Sequence, residues 1–151
     1  MTDLLVLGGG PAGLNAAIYG ARKGLSVLVL SASTGGQLND TATIENYLGY
    51  KEIMGYELAG KFAEHLAKYN VPVIEGAVAR QYNRKGNNHE IVLSDGKSYE
   101  GKALIIATGS IYRKLGVPGE EEFTGRGVSY CAICDGPFFR NKEVLIAGGG
   151  N

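Results

Sequence analysis

The chain has 151 residues, about one average domain, with 15 basic and 15 acidic side chains and no net charge. That balance gives no support for a nucleic-acid partner or a polybasic membrane contact. No apolar run reaches the ~18 residues of a membrane span, and Asp3 sits in the first apolar segment with no basic stretch before it, unlike a signal peptide, so a soluble, cytoplasmic protein is expected.

Leu4 to Leu7 reads as a buried parallel strand running straight into glycines. From Pro11 to Lys23, Leu14, Ala17, Ile18 and Ala21 fall on one helical face, and Gly24 stops that helix. Ser26 to Leu30 is a second buried strand, completing a βαβ unit with an expected right-handed crossover. The stretch SASTGGQLNDTATIENYLGY follows, rich in turn formers and without periodicity, as functional or disordered loops are. A helix is predicted over Gly55 to Tyr69, with Leu58, Phe62, Leu66 and Tyr69 on one face, then a strand over Val71 to Ile74. Gly76 to Leu93 reads as two β-rich runs around the turn KGNN, and SDGK leads to a third at Lys97 to Glu100, a small antiparallel meander. KALIIATG is a further buried strand ending in a glycine turn. After Ile111, KLGVPGEEEFTGRG is polar and rich in Gly and Pro, a candidate domain boundary. EVLIAGGGN then repeats the pattern of DLLVLGGGP about 140 residues later, as a strand entering a second loop.

The 24 glycines are about twice the usual ~7% and cluster as GGGPAG, GGQ and GGG. Gly8, Gly10 and Gly13 fit G-x-G-x-x-G between a strand and a helix. The first glycine permits the tight turn, the second lets backbone approach a pyrophosphate, and the third lets helix and strand pack closely. The helix start, with Pro11 and Ala12, offers unpaired N–H groups to phosphate. A tight turn without a ligand is the plainer alternative. The fingerprint lacks one part: an acid about 20 residues on to bind ribose hydroxyls. No Asp or Glu lies between Asp3 and Asp40, and Ser31 offers only a neutral hydrogen bond there. The second loop shows only Gly148-x-Gly150 before the last residue. As a repeat, it suggests a second dinucleotide site, hence electrons passing between two cofactors.

The only two cysteines are Cys131 and Cys134 in YCAICDGPFF. Their spacing is that of a redox dithiol. Half of a zinc site would need two more ligands, and His65 and His89 lie far away on a predicted helix and β-ribbon, so no metal is expected. A buried, inert pair is the structural alternative. Asp135, next to the pair, can move protons as thiolates form and leave; the same residue type also caps helices and makes turns.

The series GGGPAG, GGQL, TATIENYLGY, ATGS, CAICDGPFF and GGGN closely resembles the bacterial-type (low-molecular-weight) thioredoxin reductases over all 151 residues, most specifically at CAICDG just before GGGN. The resemblance implies an α/β fold: a Rossmann-like FAD-binding domain with a three-layer parallel sheet and an antiparallel β-meander (residues 1–114), then the start of an NAD(P)H-binding domain carrying the dithiol (residues 115–151). It implies FAD on Gly8 to Gly13, with Gly36, Gln37, Leu38 and Asn46 near the flavin, Ala77 and Val78 at the adenine end, and Ala107, Thr108 and Gly109 as a returning turn. It makes Cys131 and Cys134 the active dithiol, the second facing the flavin and the first attacking the substrate disulfide, with Asp135 as acid–base residue. It further implies NADPH as electron donor, thioredoxin or a similar protein disulfide as partner, a homodimeric full-length protein, and domain rotation about a hinge near Leu115 to Gly119.

The resemblance also implies that this chain is about half of a subunit, lacking most of the NADPH domain and the last FAD segment, and that it does not turn over with NADPH alone. Leu48 stands in ENYLG where the family often has proline. Three alternatives remain: a flavin disulfide reductase of the same build fed by ferredoxin; the flavoprotein component of alkyl hydroperoxide reductase, ranked lower because it carries an extra N-terminal domain while the first strand here starts at residue 3; and a non-catalytic nucleotide-binding module with structural cysteines.

Overall fold

Leu4, Leu5, Val6 and Leu7 fill strand β1 (Thr2–Leu7), buried on both faces in the computed structural model, which describes residues 1–148. Alternate side chains of a strand point to opposite faces, so Leu4 and Val6 join one core while Leu5 and Leu7 join another. Helix α1 (Pro11–Arg22) lays Leu14, Ala17 and Ile18 on the first face. It sits close because Gly20 has no side chain: a Cβ there would be 2.8 Å from Leu4 Cδ2. Gly24, at φ +77°, ends the helix, its N–H bonding Ala21 O at 2.9 Å. Strand β2 (Val27–Leu30) returns parallel to β1. Each fully buried Leu of these elements contributes about 1.5–3 kcal/mol relative to exposure.

The stretch after β2 holds more structure than its sequence announces. Gly36–Asp40 forms a 3₁₀ turn, and β3 (Thr43–Ile44) pairs antiparallel with β4 (Ile53–Met54). Helix α2 (Gly55–Ala67) then buries Leu58, Ala59 and Leu66, with Phe62 and Tyr69 partly buried against the first core. Strand β5 (Val73–Ile74) joins β2 in parallel, and β6 (Ala79–Lys85) and β7 (Asn88–Leu93) form the expected hairpin.

The segments predicted as two strands, Lys97 to Glu100 and KALIIATG, are one strand, β8 (Ser98–Ile106). Its first half pairs antiparallel with β7 and its second half parallel with β1, giving the sheet order β5-β2-β1-β8-β7-β6. Gly101 lies where the two pairings meet, and a Cβ there would be 2.9 Å from Leu5 Cβ. The hairpin side of the sheet brings Ile91 and Leu93 onto Leu5, Leu7 and Leu30. Helices, parallel strands and β-ribbon thus stack as three layers, the arrangement expected. The predicted burial of KALIIATG does not hold, since Ile106 is 67% exposed.

The chain divides into two compact units, Met1–Gly109 and Ser110–Asn151. In the second, the predicted strand in EVLIAGGGN is absent: residues 143–148 have no regular structure and Leu145 is 96% exposed. A strand needs neighbours to pair its backbone groups, and none of the described strands pairs with this segment. No described helix is long and apolar enough to cross a membrane.

The second unit is organised around Glu120, which is 4% exposed. Its carboxylate accepts Tyr130 O–H at 2.6 Å and the backbone N–H groups of Leu115 at 2.8 Å and Gly116 at 2.6 Å. Tyr130 in turn stacks on Tyr112, ring centroids 5.7 Å apart. The tyrosine hydroxyl first, then the backbone donors, hold the Glu120 carboxyl down to about 2. Folding therefore favours the ionised form. The stability it gives is full above the ordinary glutamate value of about 4.3 and is lost as pH falls through about 2. Near-ultraviolet circular dichroism of the tyrosine pair should fade over that acid window, and Glu120→Gln should weaken the signal at neutral pH and flatten its acid dependence.

Candidate functional site

The glycine loop is assembled by contacts that tolerate no side chains. Gly8 stands at φ +116°, and a Cβ on it would be 2.1 Å from Ala107 O. Its N–H bonds Leu30 O at 2.8 Å, and Ala107 N–H bonds Leu7 O at 2.7 Å, so the turn Ala107-Thr108-Gly109 lies against the loop. A Cβ on Gly13 would be 1.9 Å from Gly8 O. Gly36 approaches from the 3₁₀ turn, its Cβ position 3.2 Å from Gly10 Cα, while Gly35 N–H bonds Gly9 O at 2.8 Å. Gln37 and Leu38 belong to that same turn.

Gly10 is different. It caps α1 with an ordinary φ of −75°, and a Cβ there would meet nothing within 4 Å. No neighbour within the protein excludes a side chain at this position. An open cradle over a helix start that has no acid in its first turn and Pro11 at its first position fits a bound pyrophosphate. Two buried hydroxyls without partners, Ser31 Oγ and Thr34 Oγ1, lie in the same loop cluster.

The remaining predicted residues divide. Ser31 is fully buried, its Oγ 2.1 Å from the Cβ position of Gly9. Ala77 is buried and donates its N–H to Ser31 O at 2.8 Å; Val78 follows at the surface, 52% exposed. Asn46 lies in an exposed stretch of the connection. Gly148 has φ +101°, and Gly150 lies outside the described residues. A cavity of about 590 Å³ opens elsewhere, at the N-terminal edge of the sheet among Met1, Val27, Pro72 and Tyr99. In parallel sheets ligands bind at the opposite edge, where the glycine loop is.

In the second unit, Cys131 and Cys134 form a disulfide, with Cα atoms 5.3 Å apart, at the start of the short helix α3 (Ala132–Asp135). Cys134 N–H bonds Cys131 Sγ at 3.2 Å. Ser129, which no motif marks, links the parts. Its hydroxyl donates to Asp135 Oδ2 at 2.5 Å, and its oxygen accepts Cys131 N–H at 3.1 Å. Ile133, between the two cysteines, and Phe138, four residues after the second, are 92% and 77% exposed. Among the described residues no group of three His, Cys, Asp or Glu gathers as a metal site.

The family model described as pyridine nucleotide-disulphide oxidoreductase matches residues 2–151. Thioredoxin reductase of Bacillus subtilis is 43% identical over 150 residues, 99% of this chain and 47% of the relative. An alkyl hydroperoxide reductase component of Staphylococcus aureus is 44% identical over 149 residues, 99% of this chain and 29% of that protein. The crystal structure of thioredoxin reductase from Streptococcus pyogenes aligns with a TM-score of 0.80 at 52% identity, covering 93% of this chain and 45% of that one. The chain thus spans half or less of the length of the relatives it matches, and the resemblance to thioredoxin reductases drawn from the motifs is borne out, as is the α/β class. With the family pattern running through both units, from the glycine loop past the disulfide, this chain belongs to the pyridine nucleotide-disulphide oxidoreductases.

Proposed function

We propose that the chain carries the flavin-binding loop and the dithiol of a thioredoxin reductase, passing electrons from NADPH by way of FAD to Cys131–Cys134 and on to the disulfide of thioredoxin. The observation that carries this is the Cys131–Cys134 disulfide, half-buried at Cys131 and exposed at Cys134, with Asp135 tied to it through Ser129. Gly8, Gly10, Pro11, Ala12 and Gly13 would hold the pyrophosphate, Gly36, Gln37, Leu38 and Asn46 the flavin side, Ala77 and Val78 the adenine end, and Ala107 to Gly109 the returning turn. When bound, FAD supplies the electron pair, delivered to it by the nicotinamide, that opens the disulfide.

Opening Cys131–Cys134 takes two electrons and two protons and leaves a dithiol. Cys131, deprotonated and held by Cys134 N–H, attacks one sulfur of the partner disulfide, and the partner's other sulfur leaves as a thiolate. Cys134 then attacks Cys131, restoring the original disulfide and releasing the partner's second thiolate. Asp135, its carboxyl fixed by Ser129, takes the proton of each attacking thiol in turn and returns it to the partner thiolate that leaves, so the two protons gained on reduction end on the partner's two sulfurs. Thioredoxin sits at about −270 mV, so the dithiol must be strongly reducing. NADPH over other donors, a homodimeric parent and a cytoplasmic setting belong to the same proposal and rest on the resemblance. The near-equal identity to the alkyl hydroperoxide reductase component supports a second reading, in which the same dithiol serves that system.

Thiol titration of the FAD-loaded intact gene product tests the proposal. NADPH addition should expose two new thiols per chain, and thioredoxin should consume them. Ser129→Ala should slow that consumption about tenfold, the scale of one charge-assisted hydrogen bond, and shift its pH profile while leaving flavin content unchanged. No new thiols, or thiols that thioredoxin leaves untouched, would overturn it.

A further inference from the structure

We propose that Glu75 binds the adenosine-ribose diol of the dinucleotide, taking from the end of β5 the role usually filled from the end of β2. The inference rests on the flavin proposal above.

Residues 4–39 contain no acid, so neither β2 nor the loop after it supplies a carboxylate. Ser31, the residue directly after β2, is buried with its Oγ against Gly9. The adjacent parallel strand fills the gap. Leu30 pairs with Ile74, Ser31 N–H bonds Ile74 O at 2.9 Å, and Ala77 N–H bonds Ser31 O at 2.8 Å. Those bonds clamp the two strand ends together, and Gly76, at φ +71°, turns the chain between them. Glu75 is the one acid in that clamp. Its Oε2 accepts Thr34 N–H at 3.2 Å, which lays the carboxylate over the loop after β2. Thr34 Cα is in turn 3.4 Å from the Cβ position of Gly9, inside the glycine loop. The anion therefore stands at the C-terminal edge of the parallel strands, next to the pyrophosphate cradle, where the fingerprint requires a ribose-binding acid.

Oε1 has no hydrogen-bond partner among the described residues, and the side chain is exposed. A free carboxylate oxygen beside a fixed one can accept both hydroxyls of a vicinal diol, in charge-assisted bonds that a serine cannot match. The same charge repels a 2′-phosphate, so the site selects a dinucleotide with an unmodified adenosine ribose.

The test compares FAD with its 2′-deoxyadenosine analogue, using the flavin-stripped intact gene product and following flavin fluorescence as each binds. Wild type should bind the analogue about tenfold more weakly than FAD. Glu75→Gln should weaken FAD about tenfold and bind the two alike, with an unchanged melting midpoint because Glu75 is exposed. A variant that keeps the wild-type preference for FAD overturns the assignment. So does a wild type with no preference. A wild type that binds neither flavin overturns the flavin proposal itself.

Discussion

In the FAD-loaded intact gene product, Cys134→Ser should abolish reduction of thioredoxin, by at least about a thousandfold, while flavin absorbance still bleaches fully on NADPH addition. The first half follows from the bond that Cys134 makes. Its sulfur is joined to Cys131, and without it there is no disulfide to accept two electrons and no second thiol to resolve a mixed disulfide with the partner. Residues that act as a unit lose nearly everything when one is removed. The second half follows from the division of the chain, since the glycine loop belongs to Met1–Gly109 and the cysteines to the other unit. Misfolding is not a route to the same result. The bridge closes a loop of only a few residues, so its entropic contribution to stability is small, and Cys134 is exposed. Flavin content of the variant checks this directly. A Cys134→Ser protein that still reduces thioredoxin would mean that electrons leave the flavin by another path.

Much of the first unit was legible because its signals are local. Four contiguous apolar residues followed by glycine make β1 and its turn, and the 3.6-residue spacing of Leu14, Ala17 and Ile18 makes α1. What escaped was whatever depends on partners distant in sequence. Gly101 breaks the pattern of β8 and looks like the gap between two strands, yet it is required where β8 passes Leu5. Strands β3 and β4 are two residues long, too short to show a period. Val144 to Ile146 has the composition of a buried strand, but composition does not supply the neighbours that pairing needs.

The site divides in the same way. The Cys131–Cys134 spacing is a local signal that marks a candidate redox dithiol. Ser129 carries no mark, because a single serine two residues before a cysteine has no pattern that sets it apart. Glu120 sits in the run Glu120-Glu121-Glu122, which reads as a solvated charge cluster, although only the first of the three is buried and bonded to the backbone of Leu115 and Gly116. Glu75 reads as a strand-end acid until the pairing of β5 with β2 places it above the loop.

Two glycines of the loop should respond in opposite ways to the same methyl group. Gly13→Ala puts a carbon 1.9 Å from Gly8 O and 3.0 Å from Gly8 C, both backbone atoms that cannot swing aside. Helix α1 must lift off β1, and overpacking of that kind costs about 3 kcal/mol; urea unfolding should show it, and flavin binding should be lost with it. Gly10→Ala meets no atom within 4 Å and keeps an ordinary φ of −75°. Its unfolding midpoint should match wild type to within about 0.5 kcal/mol. Flavin affinity should nevertheless fall, by about a hundredfold, because the new methyl occupies the place where a pyrophosphate must touch backbone. Loss of stability and loss of binding are thereby separated at positions three residues apart. If Gly10→Ala binds flavin as tightly as wild type, the open cradle above α1 is not the phosphate site, and the glycines serve packing alone.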